Sequence, residues 1–236
     1  MNIYWFGRHT DKDLGYISDL LEDSGFYGWL LPYAVGVADP FIRIARSFKI
    51  GQKLKYLVAV RPHTISPQYL LAISQSLDLI EEDRVRINFV PGLNLSKEDE
   101  LFGGILSEVT DSSSFFDRKK YLCSYIEQFN NLKGKKPYVY ISGSSDDACP
   151  NLDSLGDATI VRYGSLLEGN VDPLDKTKII FFPVVDIKSF KETLNDIKEK
   201  GYNNVMIHVH GDKLFDLALE VFKEVKNIKL NDNAIL

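Results

Sequence analysis

Short apolar runs recur along the chain, separated by longer stretches in which apolar residues return at every third or fourth position. The runs read as strands at 2–6, 28–31, 56–60, 85–90, 138–141, 158–162, 178–185 and 204–209. Helical spacing occupies 13–24, 38–49, 66–81, 115–132, 187–200 and 212–226; Phe190, Leu194 and Ile197 show it, as do Phe215, Leu219 and Phe222. Gly25, Gly134 and Gly201 stand just past helix ends, where a left-handed cap favours glycine. Two stretches break the alternation. Residues 91–114 read as a polar loop rich in Gly, Ser and Asp. GSLLEGNVDPLDKT, at 164–177, shows no helix, which predicts a reduced crossover between strands 6 and 7. Eight strands alternating with helices predict an α/β fold, a compact (β/α)8 TIM barrel, with an open doubly wound sheet as the alternative. No repeat, linker or low-complexity tract divides the chain, so residues 1–236 read as a single domain.

The richest stretch is KLKYLVAVRPHTISPQYLLAISQSLDLIEEDRVRINFVPG, at 53–92. Its first strand, from Leu54 to Val60, is apolar without alternation, as expected for a strand covered on both faces. Thr64 or Ser66 suits the cap of the following helix, Pro67 suits its first turn, and Tyr69, Leu70, Ile73, Leu77 and Ile80 keep helical spacing. Arg61 and Asn88 stand at the carboxyl ends of the two strands, where α/β folds place ligands. Both suit contact with a planar ligand or an anion, and Arg61 equally suits a carboxylate partner that closes the barrel mouth.

Composition narrows the function classes. Hydrophobic content of 44% and charge of 26% are those of an ordinary globular protein. A net charge of −5 and the lack of a dense basic cluster argue against a nucleic-acid partner, and the KGKK run at 133–136 reads as a solvated turn. Met1 leads directly into a strand with no basic region and no long apolar run, so neither a signal peptide nor a membrane partner is expected. Cys123 falls within a helix and Cys149 beside Pro150, with no CxxC pair; the reading is a reduced, cytoplasmic chain, with a disulfide as an alternative that the sequence does not support.

Ser142, Gly143, Ser144 and Ser145 follow strand 5 directly and precede a short helix expected at 146–155. Hydroxyls and glycine-exposed amides at a helix start make a candidate phosphate cradle, although an ordinary turn has the same composition, and Asp146 and Asp147 set negative charge beside it. All four histidines, His9, His63, His208 and His210, lie at or just past strand ends, the catalytic face of a barrel. They are the candidate catalytic residues, as acids, bases or substrate contacts. His208 and His210 point the same way along a strand, so a metal site completed by His9 or Asp212 is a further reading, and simple hydrogen bonding at the rim is another.

The 53–92 segment resembles the bacterial luciferase-like flavin monooxygenases, most nearly the alkanesulfonate monooxygenase branch. NIYWF at 2–6 followed by His9, GWLLP at 28–32, FFDRKKYLCSYIEQF at 115–129 and YISGSSDDA at 140–148 are similar to further family segments, in family order. The resemblance covers most of residues 1–163. It implies a (β/α)8 barrel that binds reduced FMN supplied by a separate flavin reductase and uses O2 on a small-molecule substrate, as a homodimer. It also implies FMN contacts from Arg61, Asn88 and the Ser142–Ser145 turn. The chain departs from the branch at its catalytic positions. Phe181 and Pro183 stand where the branch carries an Arg-x-His pair, Val37 where it has a cysteine, and Gly211 near its tyrosine. The insertion that closes over substrate after strand 7 is missing. Phe181 and Phe182 would make that wall apolar. The expected function is therefore a two-component FMN-dependent monooxygenase acting on a small apolar substrate. A non-catalytic flavin-binding protein, like the non-fluorescent flavoproteins, and a metal-dependent barrel hydrolase are the alternatives.

Overall fold

Alternating apolar runs and helices close on themselves because each strand needs both faces covered. In the computed structural model, which describes residues 1–7, 14–32, 38–49, 51–91, 114–143, 145–169, 178–209 and 214–233, eight strands close into a barrel in chain order. They are β1 (Asn2–Phe6), β2 (Gly28–Leu31), β3 (Lys55–Val60), β4 (Val85–Phe89), β5 (Tyr138–Ser142), β6 (Ala158–Arg162), β7 (Ile179–Val184) and β8 (Asn204–Val209). Among the described residues the helices are α1 (Leu14–Asp23), α2 (Pro40–Ser47), α3 (Pro67–Ile80), α4 (Phe115–Asn131), α5 (Tyr163–Leu167), α6 (Ile187–Glu199) and α7 (Leu214–Asn233). The fold is a (β/α)8 TIM barrel.

The chain forms two compact units. The first comprises Met1–Leu31, Arg46–Tyr56 and Ile160–Leu236. Within it β1 pairs in parallel with β2 and β8, and β7 with β6 and β8. Trp5 is fully buried and meets Phe222 at 4.8 Å and Phe26 at 5.9 Å, both edge-on, while those two rings meet each other at 5.2 Å. Trp5 therefore faces the helix layer, and its neighbours Tyr4 and Phe6 face the barrel interior. Gly28 is required where it stands: a Cβ there would lie 2.7 Å from the Tyr4 ring and 3.1 Å from the Lys55 carbonyl.

The second unit comprises Pro32–Ala45 and Leu57–Thr159. Ser66, not Thr64, caps α3, its Oγ accepting from the Tyr69 N–H at 3.3 Å, with Pro67 in the first turn. Thr64 instead ends a 3-10 turn, Pro62–Thr64, and donates its hydroxyl to the Arg61 carbonyl at 2.8 Å. Leu122, Tyr125, Ile126 and Phe129 form the buried stripe of α4, and Phe89 of β4 packs edge-on against Tyr125 and Phe129 at 5.7 and 5.6 Å.

Four expectations change. The crossover after β6 holds the five-residue α5, where no helix is read from sequence. α7 continues to Asn233, beyond 226. The helix expected at 146–155 does not form; a bridge between Asp146 and Cys149 and a 3-10 turn, Leu152–Ser154, replace it. Pro150 disfavours the helical conformation for Cys149, and the Asp146 carboxylate accepts from the Ala148 and Cys149 N–H groups at 3.0 and 3.3 Å, satisfying them locally. Cys123 and Cys149 are not reduced but form a disulfide, with Cα atoms 5.8 Å apart. Sequence spacing could not show this, because the link depends on α4 packing beside the segment that follows β5.

Candidate functional site

The second unit places a polar column on the inner faces of β4 and β5. Arg86 pairs in register with Tyr138, and Asn88 with Tyr140. Since Phe89 faces α4, Arg86 and Asn88 face the barrel interior. Arg86 donates to the Tyr140 hydroxyl at 3.0 Å, lies 4.7 Å over the Tyr138 ring, and has Asp83 at 3.7 Å. One step nearer the carboxyl ends, the Ser142 hydroxyl donates to Asn88 Oδ1 at 3.0 Å. Asn88 is buried at 1% exposure and Arg61, just past β3, at 8%. Asn88 and Ser142 stand out in the sequence separately, and the structure joins them. Arg86 and Tyr140 are not among the residues expected from sequence. Their signal was the period-2 alternation of polar and apolar residues in RINF and YVYIS, inside strands that read as uniformly apolar.

Beyond Ser142, Gly143 is exposed with φ +129°, a conformation that disfavours any other residue. Ser145 is tied to the following turn: its Oγ accepts from the Asp153 N–H at 3.1 Å, and its own N–H donates to the Asp153 carboxylate at 3.4 Å. Of the amides in the expected cradle, that of Ser145 is engaged with Asp153, and just beyond it those of Asp146, Ala148 and Cys149 are engaged with the Cys149 carbonyl and the Asp146 carboxylate. Ser144 lies outside the described residues.

Lys119, buried at 4% exposure on the second turn of α4, pairs with Asp146. The Lys119 ammonium beside it, together with the two loop N–H groups, holds the Asp146 carboxyl below its ordinary 3.8. A carboxylate shifted down in this way stabilises the folded loop above its unfolded pKa, and the contribution is lost as pH falls through the folded value. A carbon-13 titration of the Asp146 carboxyl should therefore inflect below 3.8, and Lys119→Met should raise the inflection. An unmoved inflection in that variant would refute the pairing.

In the first unit, Phe6, Pro183 and His208 share one row across β1, β8 and β7, with Phe181 one row below beside Met206. The His208 ring stacks on Phe6 at 4.7 Å, and Phe6 lies 6.0 Å from Phe181. His208 Nδ1 is 2.7 Å from the Phe6 carbonyl. A carbonyl only accepts, so Nδ1 carries a proton and Nε2 is the position that gains or loses one. Phe182, expected to line the pocket, instead packs against Phe190 of α6 with ring centres 6.3 Å apart. The inner apolar surface of this unit comes from Phe6, Phe181 and the exposed Pro183.

His63 is buried at 1% exposure within the turn after β3. His9, His210, Asp212, Val37 and Gly211 lie outside the described residues. Among the described residues no group of three His, Cys, Asp or Glu side chains is arranged to hold a metal ion. Nor is any helix among them long and apolar enough to cross a membrane. The link from β7 to α6 is two residues, Val185 and Asp186, with Asp186 capping the helix.

No protein-family model matches the chain. Solved structures of similar fold include EDTA monooxygenase from Chelativorans sp. BNC1, at 12% identity and TM-score 0.56, covering 85% of this chain and 66% of that one. A long-chain alkane monooxygenase matches at 15% identity and TM-score 0.53, covering 89% and 63%. A riboflavin lyase, solved with modified FMN and riboflavin, matches at 13% identity and TM-score 0.52, covering 89% and 61%. The chain thus spans between 61% and 66% of the length of these three proteins. At such identities the likeness is one of fold. The class defined by fold and site is a compact (β/α)8 barrel with polar groups at the carboxyl ends of β3, β4 and β5.

Proposed function

We propose that this chain is a short luciferase-like flavoprotein, a two-component FMN-dependent monooxygenase acting on a small apolar substrate. The observation that carries the reading is the hydrogen-bonded pair of buried Asn88 and half-buried Ser142, with buried Arg61, at the carboxyl ends of the strands. These groups fit a flavin. Asn88 supplies a donor and an acceptor for the polar edge of its ring, and Arg61 supplies positive charge. Gly143, the hydroxyls of Ser142 and Ser145, and Ser144 are assigned to its phosphate. Bound reduced flavin would supply the electrons that let O2 oxygenate a substrate. The second unit's own contribution is to hold the ring; the first unit, taken by itself, carries the apolar surface of Phe6, Phe181 and Pro183. His208 is the group in that surface suited to move a proton, through Nε2. The same reading assigns His9, His63 and His210 catalytic or substrate-contact roles as well. It brings reduced FMN from a partner reductase, a homodimeric assembly and a cytoplasmic location.

A second reading, a flavin-binding protein without catalysis, is favoured by Phe181 and Pro183 on β7 and by the two-residue link that follows. Anaerobic titration with reduced and oxidised FMN, followed by O2 uptake with candidate substrates, separates the two. The monooxygenase is expected to bind reduced FMN more tightly than oxidised FMN and to couple O2 uptake to product. Retention of oxidised FMN without coupled uptake would establish the second reading, and binding of neither form would overturn both.

A further inference from the structure

The segment 145–151, next to the candidate phosphate contacts, is held to α4 by a bond that can be opened chemically. Its backbone folds back on itself at Asp146 and Cys149, with N–H to carbonyl distances of 3.3 and 3.0 Å. Cys149 is fully buried and joined to Cys123 on α4 across 26 positions of sequence. Two other polar ties to α4 accompany it: the ion pair of half-exposed Asp146 with buried Lys119, and Asn151, which donates to Glu127 at 3.3 Å. The Asn151–Glu127 tie joins exposed groups, competes with water and holds weakly. Lys119 and Cys123 are four residues apart, so one face of α4 carries both the ion pair and the disulfide.

The two sulfurs differ in access. Cys149 is buried, whereas Cys123 is only half-buried, so an external thiolate meets the Cys123 sulfur first. We propose that the Cys123–Cys149 disulfide is a reducible latch that sets the order of segment 145–151 and, through Ser145, the affinity of the ligand held at the end of β5. The affinity half of this proposal rests on the flavin reading; the latch does not. A dithiol thiolate attacks Cys123 Sγ, the S–S bond breaks, and Cys149 leaves with the electron pair and takes up a proton. The second thiol of the reductant then closes on the mixed disulfide and frees Cys123. Two electrons and two protons pass to the protein, and the reductant ends as its own disulfide.

Amide hydrogen exchange of the whole chain, oxidised and after dithiothreitol, tests the latch, with thiol titration reporting its state. Exchange across 145–151 is expected to speed at least about tenfold on reduction while the strands keep their protection. Reduced FMN is expected to bind about tenfold more weakly, and reoxidation should restore both values. Cys123→Ser should reproduce the open state without disturbing the buried Cys149 position, which keeps the test available if Cys149→Ser does not fold. Two freed thiols with unchanged exchange would overturn the proposal, as would a folded protein whose disulfide resists the dithiol. Exchange that responds in a protein binding no FMN in either state would uphold the latch and discard the flavin reading.

Discussion

Trp5→Ala is expected to be the most destabilising single change described here. The indole is fully buried and contacts the Phe26 and Phe222 rings, so truncation removes a large apolar side chain and leaves a cavity that two rigid rings cannot collapse into. Aromatic-to-alanine changes in such cores cost about 3–5 kcal/mol. For a chain of this length each kcal/mol lowers the melting temperature by roughly 2–4 °C, which gives a fall of about 6–20 °C. Thermal and urea unfolding, with Leu79→Ala as the comparison, measure it. Leu79 is 90% exposed and should change stability by less than about 0.5 kcal/mol. Equal effects of the two changes would show that the β1–α7 aromatic cluster is not the core of its unit.

Asn88→Leu is expected to have the largest effect on ligand binding. Leucine keeps the branching and heavy-atom count of asparagine but has no amide, so the Ser142 hydroxyl loses its acceptor and the interior loses two N–H donors. Loss of a buried hydrogen-bonding group costs about 1–3 kcal/mol, and each 1.4 kcal/mol is tenfold in affinity, so reduced FMN should bind roughly 5- to 150-fold more weakly. Ser142→Ala removes one partner only and should fall near the lower end of that range. Anaerobic fluorescence titration reads both, with far-UV circular dichroism confirming that β4 and β5 are intact. An unchanged dissociation constant in Asn88→Leu would remove this pair from the site.

The barrel was legible because its elements are local. A strand covered on both faces must be an apolar run, and a helix on the barrel exterior must repeat at 3.6 residues, so YLVAV, IIFFPV and the Phe190–Leu194–Ile197 stripe identify themselves. The candidate site was legible in part. Arg61, Asn88 and Ser142 stood out by their place at strand ends. Arg86 and Tyr140 were hidden because an inward-facing polar residue looks improbable until its partner is known, and the partners are 54 positions apart.

The segment after β5 shows the opposite failure. Its Gly and Ser content suggested amides open to a phosphate, but a short polar loop first satisfies its own backbone, and Asp146 and Asp153 do so here. The neighbouring Lys119 offsets the Asp146 charge that counted against the cradle, which no spacing rule predicts. The cysteines follow the same logic: a pairing across 26 positions is set by how α4 packs, not by how either cysteine is flanked.

By itself, then, the sequence determined the order and type of the elements, their closure class and the strand ends at which function was to be sought, because hydrophobic period and local turn chemistry act over a few residues. Only the tertiary structure decided which polar side chains meet inside β4 and β5, which loop amides are engaged, and that the two cysteines are bonded. Those outcomes depend on distances between segments far apart in the chain, which are set by packing.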